Sequence, residues 1–449
     1  MMRANLPQQR GQITVLVAVS LATLLSVIGL AFGAGLSYMI KAKLNAATDA
    51  ASLAAARAVS IGGDQAAQTA SAKAAAVRFF NANFPANYLG STATLGDTQV
   101  TFSSSGEVTV GVSASATMPA SLLGGMQGGA LTPGVTTEVI RKQLDMVLVL
   151  DTSGSLSGNA ANVRSSATTF LKQFNSDRDR VGLLHFAYGA VIDDPIRPIQ
   201  RGFDRTSMNA HIKNLDFEGS TASPEGMYAA RDQINSVPAA NLNRSNLRVI
   251  VFFSDGSPNS FGTYLTWTSG NCATAGTIAT DDDGSGAPTG LYKLDKTNSS
   301  LGGDCTPSSL TSKASKLPDW YNGHSSYATR NDAQEYRVVT TSPRVVTNTL
   351  TYANVNRAAR NLSEAMASKS RDEGIFVYTL GLGSQLKAGT GSDGEKGEDT
   401  LKCMANSPDA PSRCFDASKP VGLYCYAATA ADLTPCFSKL ASAIFRISK

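Results

Sequence analysis

The sequence has 449 residues, of which 42% are hydrophobic and 16% charged, and its formal net charge is +4. A common domain size is about 150 residues, so a chain of this length is expected to hold roughly three units. The hydrophobic content excludes a wholly disordered chain. The small positive charge, with no long basic run, excludes a dedicated nucleic-acid-binding protein.

A long apolar segment lies near the N-terminus. From Ile13 to Ile40 the sequence has 28 consecutive residues without a charge, whereas about 20 apolar residues are enough to cross a membrane as a helix. The apolar region of a signal peptide is usually shorter, about 7–15 residues. We therefore predict a retained, single-pass transmembrane helix over 13–40, preceded by a cytoplasmic tail over 1–12.

The alanine-rich residues that follow predict more helix. Leucine and alanine recur at three- and four-residue steps between 44 and 58, which gives the segment a narrow apolar face. The first helix is therefore expected to continue to about residue 60, and a second helix is predicted over 65–81. Together these segments form a predicted helical stalk over 41–89.

A small β region is predicted next, over 90–143. Apolar and polar residues alternate between 100 and 112 on either side of Ser105–Gly106, which is the pattern of a β-hairpin with one buried face. Helices followed by such a sheet make a pilin-like α+β stalk. The glycine-rich stretch 124–129 predicts a flexible joint at its end.

The N-terminal segment has a recognisable family pattern. RGQITVLVAVSLATLLSVIGLA, followed by YMIKAKLNAATDAASLAAARA, resembles the N-terminal region of TadE/TadG-like proteins of the Flp (Tad) pilus assembly system. The resemblance covers roughly residues 10–60. It implies an anchor in a bacterial inner membrane and other pilus assembly components as partners.

Beyond residue 144, short apolar runs alternate with helical patterns. The runs occupy 146–150, 180–192, 249–253 and 375–383, and the helices 160–174, 224–234 and 353–372. Apolar runs of this length are typical of strands buried on both faces of a parallel sheet. The alternation predicts an α/β fold with a doubly wound, mainly parallel, Rossmann-like sheet. The end of the chain is typical of a last strand and an amphipathic closing helix.

Oxygen-bearing side chains follow two of these strands. Asp151, Ser153 and Ser155 follow the first run, and Asp255 follows 249–253. Thr221 lies in a loop between them. Binding sites in such sheets form where loops leave the carboxyl ends of strands, and hard oxygen ligands suit a cation such as Mg²⁺ or Mn²⁺. We therefore predict a divalent cation site at this edge.

This set of residues resembles the metal-ion-dependent adhesion site (MIDAS) of von Willebrand factor A (VWA) domains. The resemblance implies that Ser153, Ser155 and Thr221 ligate the metal directly. It implies that Asp151 and Asp255 act mainly through bound waters. One coordination position would then remain for an acidic group on a protein or surface partner.

The VWA-like region, 144–449, contains a long insertion at about 257–351. It is rich in Ser, Thr, Gly and Asn and too long for a plain loop. Because it follows Asp255, we expect it on the metal face as a candidate for partner specificity; a decorative or partly disordered excursion is the alternative. Its acidic stretch 281–286 begins like a calcium loop, but Tyr292 replaces the expected glutamate, so Ca²⁺ is a secondary expectation.

The cysteines indicate an oxidising compartment. All six lie in the second half of the chain and none forms a CxxC pair, which favours disulfides over a zinc site. We predict that Cys272 pairs with Cys305 and that the last four cysteines pair among themselves, in an order that the sequence leaves open. This places the C-terminal region in the periplasm or at the cell surface.

Two classes of function remain. The first is a membrane-anchored pilus assembly protein whose VWA domain makes a Mg²⁺-bridged contact, with a structural envelope scaffold that binds no metal as its alternative. The second is an enzyme, because the loop at Asp151 superficially resembles an aspartic protease loop. That chemistry needs two like loops, which are missing from this sequence, and the contexts of the three histidines suggest no catalytic partner. We therefore expect no enzymatic activity.

Overall fold

The computed structural model describes most of the chain, in two compact units, 1–141 and 142–449. The joint glycines and most of the acidic stretch of the insertion lie outside the described residues. The described residues are 12–59, 65–103, 107–118, 132–141, 143–238, 244–270, 272, 274–281, 287–305, 310, 313–314, 316–324 and 334–447.

The first unit consists of two helices and one antiparallel sheet. Its helices are α1 (Gln12–Ala58) and α2 (Gln65–Asn83). Its strands are β1 (Thr92–Leu95), β2 (Gln99–Phe102), β3 (Val108–Thr117) and β4 (Gly134–Arg141). Strand β3 is central, with β4 on one side and both β1 and β2 on the other. The predicted second helix and the predicted hairpin are therefore present, the hairpin as β2 and β3.

Helix α1 changes character along its length. Its N-terminal half leaves apolar side chains exposed, from Ile13 at 73% to Phe32 at 68%. Farther along, Ile40, Leu44 and Ala47 are buried in one core with the inward face of β3. Among the described residues, α1 is the one helix long and apolar enough to cross a membrane. Since a large exposed apolar surface is unfavourable in water, the N-terminal half fits a membrane anchor.

The second unit is built on a six-stranded sheet. The strands are β5 (Leu144–Asp151), β6 (Arg180–Phe186), β7 (Ala190–Asp194), β8 (Leu247–Ser254), β9 (Ser260–Thr263), β10 (Gly276–Ala279), β11 (Thr289–Tyr292), β12 (Phe376–Leu382), β13 (Gly389–Thr390), β14 (Glu395–Lys396) and β15 (Tyr424–Ala427). The main sheet has the order β15-β12-β8-β5-β6-β7, and only β7 is antiparallel to its neighbour. All eight residues of β5 are buried, which explains its uninterrupted apolar run.

Helices cover both faces of this sheet, as predicted for a doubly wound fold. They are α3 (Ala160–Leu171), α4 (Arg205–Lys213), α5 (Ser223–Asn235), α6 (Tyr352–Asp372), α7 (Gly397–Ala405) and α8 (Leu433–Ile447). Helices α5 and α6 share a buried cluster with Val147 and Phe252. On the opposite face, Phe437 of α8 packs against Phe170 of α3 and Phe253 of β8, with ring centroids 5.1 and 6.2 Å apart.

The apolar run 180–192 is not one strand, which corrects the sequence interpretation. It folds back as β6 and β7, and the turn is closed by a hydrogen bond of 3.0 Å from the amide of Ala187 to the carbonyl of Gly189. A Cβ at Gly189 would lie 2.4 Å from the carbonyl oxygen of Leu294. The turn is therefore shaped by a close contact with the insertion, which periodicity alone does not reveal.

The described part of the insertion extends the core. Strands β9, β10 and β11 form a small antiparallel sheet. Phe261, Ile278 and Tyr321 belong to the same buried cluster as the main sheet. This part is therefore an integral layer and not a decorative excursion.

The disulfides confirm the predicted pairing. Cys272 is bonded to Cys305 inside the insertion. The order that the sequence left open is also defined, because the last four cysteines form two short-range pairs. These pairs are Cys403–Cys414 and Cys425–Cys436.

Candidate metal centre

The structure brings the five sequence-predicted ligands to the carboxyl edge of the main sheet. Asp151 is the last residue of β5, and Ser153 and Ser155 lie at the start of the short 3₁₀ helix (Gly154–Asn159) that follows it. Asp255 follows the last residue of the adjacent strand β8. Thr221 lies just before the first residue of α5. Three separate loops thus meet where neighbouring parallel strands end.

Four of these residues form one continuous hydrogen-bonded chain. The amide of Ser153 donates to Oδ1 of Asp151 at 2.8 Å. The hydroxyl oxygens of Ser153 and Ser155 are 3.2 Å apart, and the Ser155 hydroxyl donates to Oδ1 of Asp255 at 2.9 Å. Asp151 is fully buried, and its Oδ2 accepts a hydrogen bond of 2.5 Å from the hydroxyl of Ser254. The carboxylate orientations are therefore fixed by neighbouring donors.

The fifth residue, Thr221, joins this group through Gly256. A Cβ at Gly256 would lie 3.2 Å from the hydroxyl oxygen of Thr221. The glycine that follows Asp255 thus allows the Thr221 hydroxyl to approach the Asp255 loop closely. Thr221 itself is only 4% exposed.

Main-chain hydrogen bonds hold the loops together. The amide of Gly154 donates to the carbonyl of Gly219 at 3.1 Å, and the amide of Glu218 donates to the carbonyl of Thr152 at 2.9 Å. The amide of Thr152 donates to the carbonyl of Phe186, at the end of β6, at 2.8 Å. The segment 152–155 (the serine loop) and the segment 218–222 (the threonine loop) are thus fixed to each other and to the sheet.

Asn259 is a site residue that the sequence analysis missed. Its side-chain oxygen accepts hydrogen bonds from the amide of Thr221 at 2.9 Å and from the hydroxyl of Ser220 at 2.5 Å. The amide of Asn259 donates back to the carbonyl of Thr221 at 3.2 Å. In the sequence, only its position four residues after Asp255 connects Asn259 with the site. No known spacing predicts a contact between this position and the threonine loop.

The donor set fits a hard divalent cation. It consists of two carboxylates and three hydroxyls, which are all oxygen donors suited to Mg²⁺ or Mn²⁺. Within the described ranges, no group of three or more His, Cys, Asp or Glu side chains could hold a metal ion. A metal at this edge would therefore depend on the serine and threonine hydroxyls.

All three histidines contact a carboxylate, and the expectation that none has a catalytic partner stays a prediction. Nδ1 of His185 lies 2.7 Å from Asp193. His211 lies 2.8 Å from Asp194, and this hydrogen bond raises the pKa of His211 above its ordinary value. Nε2 of His324 lies 2.7 Å from Glu225. These three carboxylates are outside the set of five candidate ligands.

One family model matches part of each unit. A model of the von Willebrand factor type A domain matches residues 145–278, which include all five candidate ligands. A second model, of the Flp pilus-assembly TadE/G-like family, matches residues 11–58. A comparison with curated proteins gave no match.

The solved structures that the chain matches are distant in sequence and have low TM-scores. The pilus adhesin SpaC from Lactobacillus rhamnosus GG is 14% identical, over 78% of this chain and 34% of that chain, with a TM-score of 0.39. The vWF domain of a type V pili tip protein from Porphyromonas gingivalis is 13% identical, over 69% and 97%, with a TM-score of 0.38. A proximal thread matrix protein from the mussel byssus, with a zinc-occupied MIDAS motif, is 12% identical, over 68% and 46%, with a TM-score of 0.34. The chain spans about a third of the length of the adhesin.

The fold and the family match define a protein with a VWA domain on a mostly parallel α/β sheet. The N-terminal region, 11–58, is of the TadE/G-like type of the Flp pilus assembly system. The chain therefore combines a TadE/G-like N-terminal region with a VWA domain.

Proposed function

We propose that this chain is a membrane-anchored component of Tad (Flp) pilus assembly whose VWA domain binds a protein or surface partner through a divalent cation. The contact would serve adhesion or pilus biogenesis, next to other pilus assembly components. The anchor would be a single span of a bacterial inner membrane, with the VWA domain in the periplasm or at the cell surface. The cation would be Mg²⁺ or Mn²⁺.

One observation carries this proposal: the hydrogen-bonded chain from Asp151 through Ser153 and Ser155 to Asp255, with the Thr221 hydroxyl packed beside it. These side chains come from three loops and converge on one sheet edge. Groups held in advance by hydrogen bonds lose little freedom when a cation binds. The arrangement therefore supports binding better than a purely structural role.

The five side chains would contact the cation in two ways. Ser153, Ser155 and Thr221 would ligate the cation directly, and Asp151 and Asp255 would hold it mainly through waters. Neutral hydroxyl ligands leave most of the positive charge on the cation, so when bound it supplies an electrophilic contact for a carboxylate. The proposed partner is accordingly a protein or surface with an acidic group.

We propose no enzymatic activity for this site. Metal-assisted chemistry needs a general base or an activated nucleophile beside the cation. The histidines His185, His211 and His324 contact carboxylates outside the candidate site. The side chains at the site are suited to holding a cation and a partner carboxylate, which is binding without a reaction.

The test measures Mn²⁺ binding to the full chain in detergent. The electron paramagnetic resonance signal of free Mn²⁺ reports how much of the ion is not bound. The wild type should bind one Mn²⁺ that Mg²⁺ displaces, and Asp151→Ala should lose this binding. Asp232→Ala, which removes an exposed carboxylate on α5, is the matched control and should bind like the wild type. Equal binding by wild type and Asp151→Ala would contradict the proposed site.

A second measurement addresses the partner's chemistry. The wild type should be retained on carboxylate-coated beads in Mg²⁺ and released by EDTA. Hydroxyl-coated beads should not retain it, and Asp151→Ala should bind neither bead. If metal neither binds nor changes retention, the structural-scaffold alternative replaces this proposal.

A further inference from the structure

We propose that the insertion 257–351 positions the metal ligand Thr221, and that Asn259 is the positioning residue through which it acts. This inference rests on the proposed function and gives the insertion a task within it. The task is to fix the backbone of the threonine loop, so that the Thr221 hydroxyl stays at the cation site. Asn259 acts through Thr221 and is not itself a proposed ligand.

The contact between Asn259 and the threonine loop is reciprocal. Its side-chain oxygen accepts from the amide of Thr221 and the hydroxyl of Ser220, and its amide donates to the carbonyl of Thr221. Asn259 is 6% exposed, so water cannot easily replace these bonds. Both backbone polar groups of Thr221 are thus held by one residue of the insertion.

Asn259 is in turn held by the small sheet of the insertion. The amide and the hydroxyl of Thr280 both donate to the carbonyl of Asn259, each at 3.0 Å. Thr280 directly follows β10, and Ser260, the first residue of β9, donates from its hydroxyl to the Asn259 side chain at 3.2 Å. The threonine loop is therefore connected to paired strands and not to a loose segment.

A second connection holds the helix that begins beside Thr221. Glu225, in the first turn of α5, is fully buried. Its Oε1 accepts from the amide of Gly262 at 2.6 Å and the hydroxyl of Tyr321 at 2.8 Å, and its Oε2 lies 2.7 Å from Nε2 of His324. All three partners belong to the insertion. The insertion therefore holds the first turn of α5, which directly follows the threonine loop.

These contacts predict how Asn259 variants behave. Residues that orient metal ligands typically affect metal affinity by about 10- to 100-fold when changed. Asn259→Ala should weaken Mn²⁺ binding at least about tenfold, because it removes the acceptor for Thr221 and Ser220. Asn259→Asp keeps an acceptor oxygen and should bind within about threefold of the wild type.

The insertion itself provides a matched control, Asn322→Ala. Asn322 also hydrogen-bonds backbone groups, accepting from the amide of Tyr264 at 2.9 Å and donating to its carbonyl at 3.1 Å, but neither bond is made to a residue of the threonine loop. Asn322→Ala should lower the thermal unfolding temperature in EDTA and leave the Mn²⁺ affinity within about threefold of the wild type. This separates positioning from general stability.

The experiment is Mn²⁺ titration of the full chain in detergent for wild type and variants. Equal affinities of wild type and Asn259→Ala would overturn this inference and leave the proposed function standing. Equal losses in Asn259→Ala and Asn322→Ala would also overturn it, because loosening of the insertion would then explain both. If Asn259→Ala does not fold, Asn259→Gln, which displaces the amide, should show the same loss. A wild type without Mn²⁺ binding would reject the proposed function and, with it, this inference.

Discussion

Gly256 shows how much of the candidate site depends on a missing side chain. A methyl group there would come within 3.2 Å of the Thr221 hydroxyl oxygen, which is tight but not a severe overlap. We predict that Gly256→Ala weakens Mn²⁺ binding several-fold while the free energy of unfolding changes by less than about 1 kcal/mol. Chemical denaturation in EDTA and Mn²⁺ titration measure the two effects separately.

Two other glycines serve as comparisons for that variant. A Cβ at Gly158 meets nothing within 4 Å, so Gly158→Ala should leave both metal affinity and stability unchanged. Gly219 has a φ of +93°, and a Cβ there would lie 2.7 Å from the carbonyl of Thr297. Gly219→Ala should therefore cost stability, by about 1–3 kcal/mol. Unchanged Mn²⁺ affinity in Gly256→Ala would show that the Thr221 hydroxyl is not a ligand.

At the scale of elements, an ion pair ties α5 to the end of α6. Burial alone would raise the pKa of Glu373, but hydrogen bonds from Arg231 and Asn235 outweigh it, so the pKa lies below its ordinary value of 4.5. The ionised carboxylate therefore stabilises the folded state at pH values above the ordinary pKa. This stabilisation is lost as the pH falls through the lowered pKa.

Glu373→Gln tests this pH dependence. The free energy of unfolding of the wild type should fall more steeply than that of the variant as the pH falls below 4.5, because the variant has no carboxylate to protonate at this position. Urea denaturation at a series of pH values gives both curves. Parallel curves would mean that the pair with Arg231 does not stabilise the fold.

The disulfide inside the insertion should contribute more to the free energy of unfolding than the two disulfides that close shorter loops. Cys272 and Cys305 are 33 residues apart, whereas Cys403 and Cys414 are 11 apart. Loop-closure entropy predicts a loss of about 4 kcal/mol when the first pair is replaced by alanines, and about 3 kcal/mol for the second. Urea unfolding of the two double variants compares them, and a larger loss in the 403/414 variant would contradict the entropic account.

Particular elements show what the sequence could and could not predict. Four of the five candidate ligands could be predicted because uninterrupted apolar runs mark buried strands, and polar residues that follow them lie at one sheet edge. Thr221 follows no such run, and the resemblance to the MIDAS placed it with them. Helix α4 was missed because it has nine residues, although Asp204 caps it by accepting from the amide of Ser207. A segment this short gives too little periodicity to detect.

Contacts between distant segments explain the remaining differences. The proposed role of Asn259 depends on its bonds to Ser220 and Thr221, which are 39 and 38 residues away. The turn between β6 and β7 depends on Leu294. Local patterns carry no information on such pairs, so these features required the structure.

At the scale of the whole molecule, features of the two units predict on which side of the membrane the VWA domain lies. Helix α1 carries an apolar half long enough for a membrane span, and the second unit contains three disulfides, which form in oxidising compartments. Protease added to intact spheroplasts should therefore digest the VWA domain while a cytoplasmic marker protein stays intact. A VWA domain protected until the membrane is lysed would reverse this orientation.

The wide spacing of the site's parts also sets a time order for its formation. The hydrogen bond between Ser155 and Asp255 joins residues 100 positions apart, and Asn259 is synthesised after both. A nascent chain that ends between residues 255 and 258 thus holds every candidate ligand but lacks Asn259, which contacts Thr221. A cation that binds this site only when Thr221 is held in place would stabilise only the chain that contains this contact. Cation binding at this edge would then stabilise the domain only after Asn259 and Thr280, which holds it, have been synthesised.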